Sequence, residues 1–314
     1  MSHRILGLHH VTATVDQAQP DLDFCVEALG LRLVKKTVNF DNHHVYHFYY
    51  GDEVGRPGTL WTTFPYHGRG VRVGTKGAGQ ITATSFSVPY GSLEFWIHRF
   101  RERGFAVSHA EQFGESRLTV TDPSGLLVEL VATRDDSRDG WDGAGVPRAQ
   151  ALRGLHSVTM LIRSPAATIG WLTDMLGFEQ VSEDAGRVRL AVNGGGPGRL
   201  LEIAAAPEDA PAAVNGLGTV HHVALAIATA GEQLALREDL IRRGYRVTEV
   251  LDRLYFQSIY FREPGGVLLE VATVEPGFTV DESPESLGRA LKLPAWQEPN
   301  RAEIEAGLAP VTHR

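Results

Sequence analysis

The chain predicts an α+β fold made of four copies of one strand–helix–strand–strand (βαββ) unit. Three observations carry that prediction. Apolar, strand-like runs recur at Leu8–Val15, Ile81–Val88, Leu155–Ile162 and Val220–Ile227. Each is followed by a helical stretch that ends on glycine, at Leu29-Gly30, Arg103-Gly104, Leu176-Gly177 and Arg243-Gly244. Closing strands follow proline–glycine turns, at Asp122-Pro123-Ser124-Gly125 and Glu263-Pro264-Gly265-Gly266. Proline fixes φ and glycine supplies a positive φ, so such turns end one strand and start the next. Recurrence of the whole pattern marks an internal repeat.

The units run over 6–66, 79–133, 151–205 and 217–273. In the first, Cys25 shares a helical stretch with Leu22 and Leu29 and reads as a small core residue, not a nucleophile. In the second, Leu93, Trp96, Ile97 and Phe100 recur at i, i+3, i+4 and i+7, a helical stripe. Ser164-Pro165 provides the cap and first turn of the third helix, whose stripe is Ile169, Leu172 and Leu176. Residues 134–149, rich in Asp and Gly, read as a linker between the second and third units. The tail, 274–314, carries Pro276, Pro284, Pro294 and Pro299, which leave room only for a short helix over Arg301–Leu308.

Composition narrows the class. The chain has 314 residues, 43% of them hydrophobic and 22% charged, as in an ordinary soluble globular protein. Its net charge of −8, with no basic stripe, argues against a nucleic-acid partner. No apolar run approaches a membrane span, and the first ten residues lack the apolar core of a signal peptide. A single cysteine fits a reducing cytoplasm, which is the expected location. Whether the chain forms a homo-oligomer is open.

The chemistry lies in a doubled histidine that occurs twice, in Leu8-His9-His10-Val11-Thr12 and Val220-His221-His222-Val223-Ala224. Aligning the four units places His10, Ala83, Ser157 and His222 at one position of the first strand. At one position of the last strand stand Thr62, Glu129, Glu202 and Glu270, each four residues after a glycine. Only pairing of the first unit with the fourth assembles two histidines and a carboxylate: His10, His222 and Glu270. That is the ligand set of a facial metal triad with open coordination positions. Alternation puts His222 on one face with Ala224 and Ala226, small residues that leave volume for a substrate. The second and third units then form a metal-free partner, with Glu129 and Glu202 as relics of the repeat or hydrogen-bonded structural acids.

These motifs resemble the vicinal oxygen chelate superfamily, which includes glyoxalases, extradiol dioxygenases and antibiotic-sequestering proteins. The resemblance is nearest to the ring-cleaving dioxygenases that act on hydroquinones. It rests on the two doubled-histidine segments, on His47-Phe48-Tyr49-Tyr50-Gly51-Asp52, and on the run from Arg253 through Tyr260 to Glu270. Glu275-Pro276-Gly277-Phe278-Thr279-Val280-Asp281-Glu282 and Leu293-Pro294-Ala295-Trp296 in the tail add to it. The resemblance implies two half-barrel domains of the vicinal-oxygen-chelate type. It implies Fe(II), with Mn(II) as an alternative, on His10, His222 and Glu270, and a small dihydroxylated aromatic substrate with O2. It also implies that His9, Thr12, His221, Arg253 and Tyr260 surround the substrate.

Other roles remain open for these residues. In an ideal strand His9 and His10 point to opposite faces, as do His221 and His222. The first of each pair reaches the site only through twist, a bulge or a strand end. Otherwise it bonds backbone or a carboxylate, and His156, aligned with His9 in a unit without the ligand, favours that role. Arg253 has a surface ion pair with Asp252 or Glu249 as its alternative, and Tyr260 a half-buried strand aromatic. His43, His44 and His47 look like a metal tract, but a pocket-wall or surface role is expected for His47. Two rival functions are a glyoxalase-like isomerase or lyase and a non-catalytic drug-sequestering protein. Thr62 at the fourth ligand position counts against the first, and the full triad against the second.

Overall fold

The computed structural model describes residues 4–313. Four strand–helix–strand segments follow one another. β1 (Ile5–Val15) leads through α1 (Ala18–Asp23) and a π-helical turn over Phe24–Ala28 into β2 (Arg32–Asn39), β3 (Asn42–Gly51) and β4 (Leu60–Pro65). Next come β5 (Gln80–Pro89), α2 (Leu93–Glu102), β6 (Val107–Gln112), β7 (Glu115–Thr121) and β8 (Leu127–Thr133). The third segment holds β9 (Gly154–Ile162), α3 (Pro165–Leu176), β10 (Glu179–Asp184), β11 (Arg187–Ala191) and β12 (Leu200–Ala205). The fourth holds β13 (Thr219–Ile227), α4 (Ala230–Arg242), β14 (Leu251–Asp252), β15 (Gln257–Arg262) and β16 (Leu268–Thr273).

The strands form two curled half-barrel sheets of eight. One runs β14-β15-β16-β13-β1-β4-β3-β2, the other β10-β11-β12-β9-β5-β8-β7-β6. At the centre of the first, β1 lies antiparallel to β13, which brings the start of the chain against its last third. At the centre of the second, β5 lies antiparallel to β9. Each segment has one more strand than the repeat pattern marks. The added strands β2, β6, β10 and β14 are sheet edges, and β6 and β10 are exposed along most of their length. An edge strand in water needs no apolar alternation, so its sequence carries little signal.

The glycines that end the helical stretches follow the expected chemistry, and Pro165 takes its expected place in the first turn of α3, but Ser164 makes no side-chain capping bond there. Gly30, Gly104, Gly177 and Gly244 all have φ between 69° and 87°, a conformation that a side chain would strain. Thr229 and Glu232 form a reciprocal capping box at the start of α4.

Strand alternation separates a helix-packed core from a site-facing surface. Val223, Leu225, Ile227, Leu269 and Val271 join Leu236 and Leu240 of α4 in the main core. Ala224 and Ala272, on the opposite face, belong to a smaller cluster with Tyr49, Tyr255, Phe256 and Phe278. The tail packs against the β2–β3 end of the first sheet. Buried Lys35 pairs with Asp281 at 2.6 Å and with Glu282. Ile304 of α5 (Arg301–Gly307) packs with Val38, Leu293 and Leu308. Among the described residues no helix is long and apolar enough to cross a membrane.

Candidate active site

Two β-bulges shape the centre of the first sheet. In the β1–β13 ladder Leu8 pairs with Leu225 and His10 with Ala224, so His9 has no partner of its own. Further along, Thr12 pairs with His222 and Ala13 with Val220, so His221 is the extra residue on the other strand. A bulge sets two residues opposite one and re-aims their side chains. It brings His9 Nδ1 to 2.9 Å from His10 Nδ1 and His221 Nδ1 to 2.8 Å from His222 Nδ1. The second sheet has the same bulges at Thr82 and His156, and there His156 Nδ1 meets Ser157 Oγ at 3.0 Å.

The far nitrogens of His10 and His222 converge on one carboxylate. His10 Nε2 and His222 Nε2 lie 3.2 Å apart, and Glu270 Oε2 is 3.2 Å from the first and 2.8 Å from the second. All three side chains are buried. Glu270 Oε1 accepts from Ser258 Oγ at 2.5 Å, whereas Oε2 has no hydrogen-bond donor. Burial raises the Glu270 carboxyl, but the facing His10 and His222 rings outweigh it and hold the group well below its ordinary value. Two imidazole lone pairs and an orphaned carboxylate oxygen aimed at one point fit a divalent cation. This is the one such cluster among the described residues.

A cavity of about 410 Å³ opens from this point. One wall, on the side of β14 and β15, carries His221, Arg253 and Tyr260. Tyr260 pairs with Glu270 across the β15–β16 ladder, and its ring lies 5.5 Å from the His222 ring. Arg253 sits 5.5 Å above the Tyr260 ring and pairs with Asp41 at 3.0 Å. Burial and Glu270 hold the Tyr260 phenol above its ordinary value, against the pull of Arg253. Burial and the charge of His222 bring His221 down to about 3, so its ring stays neutral. Phe40, Phe64, Leu251, Phe256 and Leu268 make much of the remaining lining apolar.

His9 and Thr12 do not line the cavity. His9 is buried behind His10, edge-on to Phe256 with ring centroids 4.9 Å apart, and burial brings it down to about 3. Thr12 is fully buried, its hydroxyl 2.7 Å from that of Thr62. Sequence reasoning left out Asp41, the partner of Arg253, and gave no polar role to His47, whose Nε2 lies 3.0 Å from Thr62 Oγ1. Asp41 sits in the β2–β3 turn, more than two hundred residues from Arg253, and no local pattern marks such a pair.

In the second sheet guanidinium groups meet the acids at the equivalent positions. Arg117 reaches Glu129 at 3.0 Å and both oxygens of Glu202 at 3.1 and 2.6 Å. Arg189 joins Glu202 at 2.9 Å and Glu115 at 2.6 Å. Glu129 and Glu202 are therefore ion-paired structural acids.

Comparison with known proteins identifies the family and the fold. The family described as the Glyoxalase/Bleomycin resistance protein/Dioxygenase superfamily matches residues 154–271. MhqO of Bacillus subtilis (strain 168), which carries a ring-cleaving dioxygenase name, is 39% identical over 99% of this chain and 98% of its own. The chain belongs to the glyoxalase/bleomycin resistance protein/dioxygenase superfamily. Within it, the chlorohydroquinone/hydroquinone 1,2-dioxygenase of Sphingobium indicum is 38% identical over 97% of this chain and 96% of its own. A crystal structure of a Bacillus subtilis protein titled as a dioxygenase superposes with a TM-score of 0.95 at 39% identity. That match covers 100% of this chain and 99% of that one. Glyoxalase I from Zea mays shares the fold, with a TM-score of 0.62 at 13% identity over 86% of this chain and 92% of its own.

Proposed function

We propose that this superfamily member is a ring-cleaving dioxygenase of the extradiol type, with Fe(II) held by His10, His222 and Glu270 and a hydroquinone-type substrate in the adjoining cavity. The observation that carries the reading is the convergence of two imidazole nitrogens and an orphaned carboxylate oxygen at the foot of an aromatic-lined cavity. The names of relatives that match over nearly the whole chain support the same chemistry. Bound Fe(II) on such a triad supplies open positions for a substrate oxygen and O2, and the redox chemistry of ring opening.

The chain's own residues prepare that site. With their Nε2 lone pairs committed to the metal, His10 and His222 carry their protons on Nδ1 and donate them to His9 and His221. Such outer partners fix tautomer and ring orientation. His221 then presents a neutral ring to the cavity. Tyr260 keeps its proton and donates a hydrogen bond, since its phenol is held above the ordinary value. Arg253 offers a fixed positive charge where negative charge gathers on a substrate oxygen. Phe40, Phe64 and Phe256 exclude water. His9 and Thr12 act from behind, on His10 and on Thr62.

A four-ligand isomerase site is disfavoured because Thr62, at the fourth ligand position, is engaged by Thr12 and His47. Anaerobic loading with Fe(II), then oxygen uptake with hydroquinone, methylhydroquinone and catechol, tests the proposal. Uptake is expected with at least the para-diols, and loading with Mn(II) instead tests the metal. Iron-loaded protein that consumes oxygen with none of the three overturns the assignment.

A further inference from the structure

We propose that His47 anchors the second oxygen of the substrate ring, the one not held at the metal. The inference rests on the reading of the cavity as a site for a dihydroxylated aromatic, and it adds the residue that tells a diol from a simple phenol.

The internal repeat supplies the first observation. Opposite Glu270, Glu129, Glu202 and Thr62 stand Tyr260, Thr119, Arg189 and Tyr49. Two residues before each of these, on the same face of the third strand, come Ser258, Arg117, Arg187 and His47. In every unit that side chain reaches the residue at the fourth-strand position. Ser258 Oγ meets Glu270 at 2.5 Å and Arg117 meets Glu129 at 3.0 Å. Arg187 meets Glu202 at 3.5 Å, and His47 Nε2 meets Thr62 Oγ1 at 3.0 Å. In three units the partner is an acid. In the first it is a threonine, which satisfies only one of the two histidine nitrogens.

The second observation is where His47 leaves its other nitrogen. The ring is half-buried and lines the cavity, on the wall made by β3 and β4, across the triad strands from Arg253 and Tyr260. Tyr49 and Phe64 hold it from two sides, with ring centroids 4.0 and 4.3 Å away. Its orientation is therefore set before any ligand arrives. Among the described residues Nδ1 has no hydrogen-bond partner and the ring has no ion-pair partner. A fixed polar atom left open in an otherwise aromatic wall is a specificity element, because a ligand lacking the matching group leaves it unsatisfied.

The hydroxyl pair behind it sets what Nδ1 can do. Thr62 Oγ1 lies 3.0 Å from His47 Nε2 and 2.7 Å from Thr12 Oγ1. If Thr62 donates to Thr12, it accepts from Nε2–H, and Nδ1 is an acceptor for a ring hydroxyl. If Thr12 donates to Thr62, Thr62 donates to Nε2, and Nδ1–H is a donor to a phenolate or carbonyl oxygen. The chain of two threonines thus lets one ring serve either form of the second oxygen without gaining charge.

The test is anaerobic calorimetry on Fe(II)-loaded protein with hydroquinone and with phenol, which has only one oxygen. Wild-type protein is expected to prefer hydroquinone by about tenfold, the worth of one well-placed hydrogen bond. In His47→Leu the preference falls to about one because hydroquinone weakens while phenol does not, and iron content stays at the wild-type level. His47→Gln restores part of the preference. Thr62→Val, which keeps the ring but removes its tether, lowers the preference as well and covers the case in which His47→Leu does not fold. A preference that survives His47→Leu, or equal weakening of both ligands, overturns this proposal and leaves the dioxygenase reading intact. No preference in the wild type overturns this proposal too, whereas the dioxygenase reading falls only if iron-loaded protein takes up no oxygen with any of the diols.

Discussion

Replacing Arg117 by alanine removes the cation at the centre of the second sheet. The side chain is 2% exposed and donates to Glu129 at 3.0 Å, to Glu202 at 3.1 and 2.6 Å and to Glu115 at 3.1 Å. After its removal Arg189 still reaches Glu202, but among the described residues Glu129 keeps only the hydroxyl of Ser85 at 2.7 Å. Stranding one buried carboxylate in this way costs about 3–5 kcal/mol. Glu202 also titrates in the balance. Burial raises its carboxyl, and Arg117 outweighs that to hold it below its ordinary value. A lowered acid stabilises the fold above its unfolded pKa, and that stabilisation is lost as pH falls through the folded value. Without Arg117 the pull that opposes burial at Glu202 weakens, and this acid takes up a proton more easily. The cost of the substitution is then largest near pH 8 and shrinks towards pH 5. Urea unfolding followed by circular dichroism at both pH values measures this, with Arg117→Lys as an intermediate case because it keeps charge but loses the fork. A loss below about 1 kcal/mol at pH 8, or a loss that does not depend on pH, would refute the reasoning, since it would place the arginine in the range of surface pairs.

Further outcomes follow from the same geometry. Burial raises Asp21 to about 7, although Tyr50 and Thr63 donate to it at 2.8 and 2.6 Å. The folded state therefore binds this proton more tightly than the unfolded state, and stability falls as pH rises towards 7. Asp21→Asn should remove that slope and gain about 3 kcal/mol relative to the wild type between pH 5 and pH 8 in urea titrations. Asp41→Ala frees Arg253 from its 3.0 Å partner. Because Asp41 is largely exposed, stability should change by under about 1 kcal/mol while KM for the aromatic substrate shifts; unchanged steady-state kinetics would exclude a role for the pair. Tyr260→Phe should lower kcat by about 10²-fold or more with iron content preserved, and unchanged turnover would remove the phenol from the chemistry.

Much of the site was legible because the chain repeats itself. Aligning four units against one another compares His10 with Ala83 and Ser157, and Glu270 with Thr62, without any relative. The doubled histidines also posed the right question about facing, because alternation forbids both rings from reaching one side. What alternation cannot reveal is the bulge itself: His9, His156 and His221 are histidines and the fourth bulged residue is Thr82, and none of them is a glycine or other turn former that would mark a break in the ladder. Edge strands such as β6 and β10 were invisible for a related reason: their exposed faces impose no hydrophobic period. The arginines of the second sheet were missed because Arg117 reads like any strand arginine until Glu202, from a different unit, meets it. Long-range polar pairs such as Asp41 with Arg253 depend on how loops close over the sheet, which no local pattern encodes.

The central claim is that the first and fourth units hold one metal ion between them. Elemental analysis of Fe(II)-reconstituted protein tests it most directly, on the wild type, His222→Ala and Arg117→Lys side by side. The account predicts about one iron per chain in the wild type and in Arg117→Lys, and loss of most of it in His222→Ala. Full iron content in His222→Ala would contradict it.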